Sequence, residues 1–126
     1  MILLTIDEII MLHEKLLKVT GGLSGLRDRG LLESAVLGVD AGFDGIEHYP
    51  SAEEKAARLA YALIANHPFI DGNKRIGVLS MLMTLHLNGV TLQYTQKELI
   101  ELGLAAANGS AGYNEIFEWC LHHKSS

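Results

Sequence analysis

Three Ser/Thr-x-x-Glu signatures constrain the fold of this chain most strongly, because each one marks the start of a helix. They pair Thr5 with Glu8, Ser51 with Glu54 and Thr95 with Glu98. In such a capping box the hydroxyl accepts from an early backbone N–H, and the glutamate reaches back to the cap. An apolar stripe of helical period follows each signature. We therefore predict helices that end before residue 21, near residue 66 and near residue 108.

Three further apolar segments predict three more helices, over about 28–39, 73–87 and 112–123. No segment alternates convincingly between apolar and polar residues, and the best strand candidates, 43–49 and 90–95, are short. The sequence therefore predicts an all-α fold, a compact bundle of about six helices. A length of 126 residues fits one domain over 1–126.

Composition narrows the class of protein. Apolar residues make up 48% of the chain and only 2 residues are proline, which argues against disorder. With 10 Lys and Arg against 15 Asp and Glu, the net charge of −5 argues against direct binding of nucleic acid. Cys120 is the single cysteine, so no internal disulfide can form, as in a cytosolic protein. The longest apolar run is too short to span a membrane, which needs about 20 residues.

The segment HPFIDGNKRIG, at 67–77, concentrates polar residues between two apolar helices. Pro68 disfavours helical geometry in the preceding residue, so the first helix should stop at His67 or one residue earlier. The second helix should begin at Gly72-Asn73. Its first N–H groups lack helical partners and lie at the amino end of the helix, where the macrodipole is positive. Such a helix end is a binding site for anions.

Lys74 and Arg75 fall in the first turn of that second helix. Cations are unfavourable there, because the helix dipole prefers acidic side chains at its amino end. This misfit indicates that a bound polyanion such as phosphate supplies the missing negative charge. The alternative is that both side chains belong to an ordinary solvated face.

Four other residues of the segment fit a phosphate site. Asp71 suits Mg²⁺, which proteins commonly hold with one or two carboxylates plus substrate phosphates. His67 is a candidate general base, because an unperturbed imidazole has a pKa of about 6.5. Phe69 should anchor the loop in the core, and Asn73 could bond a phosphate or cap the helix. The structural alternatives are an N-cap for Asp71 and a helix-end packing role for His67.

The stretch HPFIDGNKR resembles the signature of the Fic/Doc superfamily, H-x-F-x-[D/E]-G-N-x-R, at every fixed position. The motif resembles the Doc branch in having a lysine, Lys74, after the asparagine. Many Fic proteins carry glycine at that position. The stretches TIDEIIMLHEKLL and GGLSGLRDRGLLESAV, and the C-terminal part from NGV onward, also look like Doc proteins of similar length. The resemblance therefore covers the whole chain.

The resemblance implies a compact all-α toxin of a type II toxin–antitoxin module, cytoplasmic and encoded by a bacterium or phage. It implies a kinase that uses ATP and Mg²⁺ to phosphorylate a Ser or Thr hydroxyl of a translation factor, elongation factor Tu, and so blocks protein synthesis. It also implies restraint in trans by a Phd-like antitoxin. Carried over by position, it gives proton abstraction to His67, Mg²⁺ to Asp71 and the nucleotide-phosphate cradle to Gly72, Asn73, Lys74 and Arg75.

Two alternatives to a kinase stay open. Fic relatives transfer AMP to a target hydroxyl, but they often carry a second arginine where this chain has Val78. The lysine of Doc proteins is thought to occupy part of the phosphate pocket, which reverses the nucleotide and presents its γ-phosphate. The "DG" of this motif departs from the "D-A" or "N-A" of some Doc relatives, so the motif is a hybrid. The second alternative is a non-catalytic module that binds a nucleotide or a partner.

Two further places carry paired interpretations. Arg27 and Asp28 could line the mouth of the site, or Asp28 could be an ordinary helix N-cap. The segment 43–49 could form a short flap between the second and third helices that holds a target by strand addition, or a plain connecting loop. The histidines outside the motif show no metal-binding spacing beyond the adjacent terminal pair, and neighbours on a helix would not easily share a metal. They are assigned no role; they are His13, His48, His86, His122 and His123.

Overall fold

The computed structural model of the protein describes residues 1–125, and these fold into six α-helices and one small β-hairpin. The all-α prediction is therefore confirmed. The helices are α1 Ile6–Thr20, α2 Arg29–Leu37, α3 Ala52–Asn66, α4 Asn73–Leu87, α5 Gln96–Ala107 and α6 Tyr113–His122. A short 3₁₀ turn, Gly38–Asp40, extends α2.

The helix starts follow the capping signatures. Thr5 accepts from the backbone of Glu8, whose carboxylate accepts from the backbone of Thr5, and α3 and α5 begin with the same reciprocal pair. Asp28 caps α2 by accepting from the N–H of Leu31 over 3.1 Å. The N-cap interpretation of Asp28 is therefore confirmed.

Helices α3 and α4 lie at the centre and cross each other closely. One apolar cluster joins them to α1 and α2, and a second joins them to α5 and α6. Cys120, in the second cluster, is fully buried, and burial raises the pKa of its thiol to about 12. Its thiol therefore stays protonated as part of the core. No helix in the described part of the chain has the length and apolar character needed to cross a membrane.

The hairpin between α2 and α3 pairs β1 (Gly42–Phe43) with β2 (Ile46–Glu47) in antiparallel register. Asp44 and Gly45 both have positive φ, of 53° and 75°, as a two-residue type I′ turn requires. The segment is thus a hairpin and not a plain loop. The other strand candidate, 90–95, is wrong: its pairing amounts to one isolated bridge between Leu92 and Lys124.

Candidate functional site

The loop between α3 and α4 carries the polar motif and begins with a strained residue. His67 ends α3 in the left-handed conformation, at φ 51° and ψ 57°. Its ring is exposed to solvent, and Nδ1 lies 3.2 Å from the carbonyl oxygen of Ala65. Because a carbonyl can only accept, the contact favours the proton on Nδ1. The neutral ring then presents Nε2 as the proton acceptor that a general base needs.

Asp71 follows four residues later and lies half-exposed beside the start of α4. Its Oδ2 accepts from the N–H of Leu23 over 3.1 Å, and its Oδ1 accepts from the N–H of Gly72 over 2.8 Å. These two hydrogen bonds, together with the charge of Arg75, lower the pKa of the carboxyl below its ordinary value. The carboxylate is therefore ionised at neutral pH, and each oxygen keeps a lone pair for a cation.

The amino end of α4 faces the same space. Gly72 precedes the helix with φ 77°, and among residues 1–125 no side chain caps this end. The first N–H groups of the helix therefore remain available to an anion. They border a hollow of about 310 Å³. Its lining consists of the motif residues His67, Ile70, Asp71, Gly72, Asn73, Lys74 and Arg75.

The two cations of the first turn have different surroundings. Arg75 donates to the hydroxyl of Thr20 and to the carbonyl of Gly21, and its Nη2 lies 3.6 Å from Asp71 Oδ1. Part of its charge is thus already compensated by the protein. Lys74 is exposed, and its aliphatic carbons lie against Gly103 of α5. Both residues also border a larger, mainly apolar cavity of about 470 Å³ between α1, α4 and α5.

Asn73 does not take the helix-capping role that the sequence offered for its side chain. It is buried, and its amide makes two hydrogen bonds of 2.9 Å to the backbone of Phe69, accepting from the N–H and donating to the carbonyl. The side chain therefore does not cap α4. The backbone N–H of Asn73, at the start of the helix, stays available to an anion. Phe69 itself is 1% exposed and lies in the first core cluster.

A second segment braces the loop from outside. The N–H groups of Arg27 and Asp28 both donate to the carbonyl of Pro68, and the N–H of Ile70 donates to Gly25. The side chain of Arg27 also donates to the last carbonyls of α3. The side chain of Arg27 therefore contacts the backbone carbonyl of His67 and not its ring. The backbone N–H of Arg27 supports the loop at Pro68.

His13 is a site residue that the sequence analysis missed. It lies on α1, is 1% exposed, and places Nε2 2.7 Å from the carbonyl oxygen of Asp71. A signal was present in the sequence, because His13 falls on the same helical stripe as Ile9 and Leu17, both buried. A polar residue at a core position requires a partner.

The residues fit a magnesium ion held jointly with phosphates. Asp71 supplies one ionised, half-exposed carboxylate beside the anion-binding end of α4. Within the described residues, no group of three or more His, Cys, Asp or Glu side chains converges on one point. One carboxylate plus substrate phosphates is a common way for a protein to hold Mg²⁺.

Comparison with known proteins gives three findings. A family model described as the Fic/DOC family matches residues 3–85, which include the whole loop and its supports on α1 and in the segment between α1 and α2. The chain is 43% identical over 72 residues to a protein named Toxin Doc from Mycolicibacterium smegmatis, covering 57% of this chain and 55% of that protein. It is 32% identical over 110 residues to Protein kinase doc of Escherichia phage P1, covering 87% and 86%. The match thus spans little more than half of the mycobacterial protein.

Proposed function

Because the chain belongs to the Fic/DOC family, we propose that it is a kinase of the Doc branch that uses Mg²⁺ and ATP to phosphorylate a Ser or Thr hydroxyl. One observation carries the proposal. A proton acceptor, an ionised carboxylate and the uncapped amino end of a helix border the same hollow of about 310 Å³. A phosphoryl transfer needs little more than this positioning and charge stabilisation.

The residues divide the work as follows. His67 accepts the proton of the target hydroxyl at Nε2 while the hydroxyl oxygen forms a bond to the γ-phosphorus. The bond from that phosphorus to the bridging oxygen breaks, and ADP leaves with its electron pair. The backbone N–H groups of the first turn of α4, beginning with Asn73, would hold the phosphates together with the side chains of Lys74 and Arg75. Gly72 would let a phosphate approach this end closely, because glycine has no Cβ. Their positive charge stabilises the negative charge of the transition state.

Asp71 would hold the Mg²⁺, whose charge neutralises the nucleotide phosphates when it is bound. The hydrogen bonds from Leu23 and Gly72 keep the carboxylate ionised and fix its direction. Arg75 lies beside the same carboxylate, so a bound phosphate would compete for this guanidinium. We expect Arg75 to turn from Asp71 toward the nucleotide when the site is filled.

Position 78 supports a kinase over AMP transfer. AMP-transferring relatives resembling this chain often carry a second arginine there, and here Val78 borders the apolar cavity between α1, α4 and α5. That position offers no charge to a phosphate. Lys74 is the additional cation next to the helix end. This arrangement supports a nucleotide that presents its γ-phosphate rather than its α-phosphate.

The partners follow from the same proposal. The relatives named Toxin Doc and Protein kinase doc support a toxin with kinase activity. The family resemblance adds a translation factor as the target, with elongation factor Tu as the expected substrate. Such a toxin would act in the cytoplasm and needs restraint by a Phd-like antitoxin in trans. The apolar cavity beside Lys74 and Arg75 would suit a helical segment of that antitoxin.

Labelled ATP tests the proposal. Purified protein with Mg²⁺ is given γ-labelled or α-labelled ATP together with elongation factor Tu and, separately, a bacterial lysate. We expect γ-label on the factor, and we expect it to disappear in His67→Ala but not in His86→Ala, an exposed histidine at the other end of α4. Label from α-labelled ATP alone would assign AMP transfer instead. No label from either, with ATP still bound, would leave a non-catalytic nucleotide-binding module.

Metal dependence gives a second test. Asp71→Asn keeps an oxygen that can accept from Leu23 or Gly72 but removes the charge. We expect it to lower the Mg²⁺-dependent affinity for ATP at least tenfold while the melting temperature stays near that of the wild type. An unchanged affinity would exclude Asp71 as the metal ligand.

A further inference from the structure

The buried side chain of His13 connects α1 to the motif loop, 58 residues away in the chain. Nε2 lies 2.7 Å from the carbonyl oxygen of Asp71, and the ring stacks on Phe69 with centroids 3.8 Å apart and planes 14° apart. Burying an imidazole at a core position is costly unless its polar atoms are paired. A leucine at position 13 would continue the apolar stripe of α1 without burying any polar atom. The histidine therefore has a purpose that apolar packing does not explain.

The hydrogen bond determines how one peptide plane is oriented. A carbonyl oxygen can only accept, so Nε2 carries the proton and donates it. The peptide between Asp71 and Gly72 is trans, as are all those described, and planar. Its C=O and N–H therefore point in opposite directions. With the carbonyl held toward α1, the N–H of Gly72 is turned the other way, where it donates to Asp71 Oδ1 over 2.8 Å.

This peptide would otherwise be easy to turn, because Gly72 has no Cβ and tolerates many backbone conformations. A rotated plane would point the carbonyl, with its partial negative charge, toward the Asp71 carboxylate that now accepts from the N–H. The contact with α1 is close: a Cβ on Gly72 would lie 3.1 Å from Leu17 and 3.4 Å from His13 Nε2. A donor at position 13 thus favours the one orientation in which the Gly72 N–H binds the Asp71 carboxylate.

We propose that His13 is a positioning residue of the site: its hydrogen bond to the Asp71 carbonyl holds the 71–72 peptide so that the Gly72 N–H fixes the Asp71 carboxylate in the orientation that holds Mg²⁺ beside the nucleotide phosphates. The inference rests on the proposed function, because it assumes a nucleotide in the hollow. His13 acts from behind the loop and touches neither ATP nor the target.

Paired substitutions separate the donor from the packing. His13→Phe keeps a ring that can stack on Phe69 but has no donor, whereas the amide nitrogen of His13→Gln can donate from nearly the same place. We expect the Phe variant to weaken Mg·ATP binding about tenfold, as the loss of one hydrogen bond typically does, with the KM for the protein target unchanged. The Gln variant should restore affinity to within about threefold. His122→Phe is the control for replacing a histidine by phenylalanine at an exposed position away from the motif loop.

A spectroscopic readout tests the orientation without any nucleotide. The amide resonance of Gly72 in a ¹⁵N–¹H spectrum should shift in His13→Phe and stay near its wild-type position in His13→Gln. A folded Phe variant with a wild-type Gly72 resonance and wild-type affinity for ATP would overturn the proposal. If the Phe variant does not fold, the Gln variant decides: a displaced Gly72 resonance would contradict the role, and a retained one would support it.

This design distinguishes two failures. If the wild-type protein neither binds Mg·ATP nor transfers label, the proposed function fails, and the Gly72 resonance still reports whether His13 orients the peptide. If the wild type is active and the Phe variant is equally active, the role of His13 fails alone.

Discussion

Arg27 donates from Nε to the carbonyl oxygen of His67 over 2.6 Å and from Nη2 to that of Asn66 over 2.8 Å. Both carbonyls lie at the carboxyl end of α3, where the last C=O groups have no helical partners. The cation also meets the negative end of the helix dipole. One guanidinium thus supports the left-handed turn that presents the histidine ring.

We expect Arg27→Ala to lower kcat about fivefold to tenfold while the KM for ATP stays unchanged, because the loss of these hydrogen bonds loosens the base but not the phosphate cradle. Arg27→Lys should fall between, since one ammonium cannot reproduce the planar fork. Steady-state kinetics on both variants tests this. Arg29→Ala is the matched control, because Arg29 is exposed and its one ion pair among residues 1–125 is with Glu33, one turn along α2. A raised KM for ATP in Arg27→Ala would instead place Arg27 against the nucleotide.

Lys55 should determine whether the hairpin is ordered. Its Nζ is buried and donates to the Val39 carbonyl over 2.9 Å, to Asp40 over 3.2 Å and to Glu47 over 3.0 Å. Burial alone would lower the pKa of the ammonium, but its hydrogen bonds and the charges of the two carboxylates outweigh that cost and raise it. Lys55 therefore remains charged and joins both ends of the hairpin to α3.

Lys55→Met keeps the length of the side chain but removes all three hydrogen bonds. We expect it to reduce the free energy of unfolding by about 1–3 kcal/mol, because Asp40 and Glu47 are half-exposed and can be rehydrated. Hydrogen exchange should accelerate at the N–H of His48, which donates to Ala41 across the hairpin. Lys97→Met, at an exposed lysine of α5, should change neither quantity. Unchanged exchange at His48 would show that the hairpin stands without the lysine.

Gly77 should tolerate no side chain, because α3 and α4 are in contact there. A Cβ at this position would lie 2.6 Å from Ile64 Cγ1 and 3.3 Å from the Ala60 carbonyl, and Ile64 is buried. Replacing glycine by alanine inside a helix usually raises the free energy of unfolding by about 1 kcal/mol. Overpacking a core lowers it by roughly 1–3 kcal/mol. We expect Gly77→Ala to lower the free energy of unfolding in a denaturant titration.

Gly103→Ala is the matched control for that titration. There a Cβ would lie 3.1 Å from the side chain of Lys74, which is flexible and can move aside, and in ordinary contact with Val78 at 3.8 Å. We expect the control to be neutral or stabilising. Equal stability of the two alanine variants would show that α3 and α4 can separate without cost.

The pair of Glu98 and His123 should make stability depend on pH. Oε2 of Glu98 lies 2.9 Å from Nε2 of His123, and this hydrogen bond, with those from Thr95, lowers the pKa of Glu98 from 4.5 to about 2. Burial alone would lower the pKa of His123, but its bonds to Glu98 and to the Trp119 carbonyl raise it. Both groups are thus charged in the folded protein between pH 4.5 and 6.5.

The directions of these two pKa shifts determine how the stability of the fold changes with pH. The lowered pKa of Glu98 stabilises the fold above pH 4.5, and this contribution is lost as pH falls through about 2. The raised pKa of His123 stabilises the fold below pH 6.5, and this contribution is lost as pH rises through the folded-state value.

We expect the melting-temperature gap between wild type and His123→Gln to be larger at about pH 5.5 than at about pH 8.5. The loss of ring stacking on Trp119 affects both pH values alike, so the difference reports the charge. His122→Gln, at the exposed neighbour, should show a gap that does not vary with pH. A constant gap in His123→Gln would mean that the ion pair adds nothing to stability.

The features that could be predicted from the sequence alone are those set by residues close together in the chain. A capping box involves residues three positions apart, so the starts of α1, α3 and α5 could be predicted without any tertiary contact. The proline after His67 and the glycine before Asn73 likewise set the ends of the two central helices. The residue types of the motif, and with them the kind of site to expect, were also present in one continuous stretch.

The sequence by itself therefore determined the helices and the chemical identity of the loop, whereas the tertiary structure decided what holds that loop in place. His13 meets the Asp71 carbonyl, Leu23 meets the Asp71 carboxylate and Arg27 meets the end of α3 across 39 to 58 residues of chain. The inward turn of the Asn73 side chain depends equally on the buried position of Phe69. Such partners depend on how helices cross, and a crossing is set by the burial of whole apolar faces rather than by neighbours in the sequence.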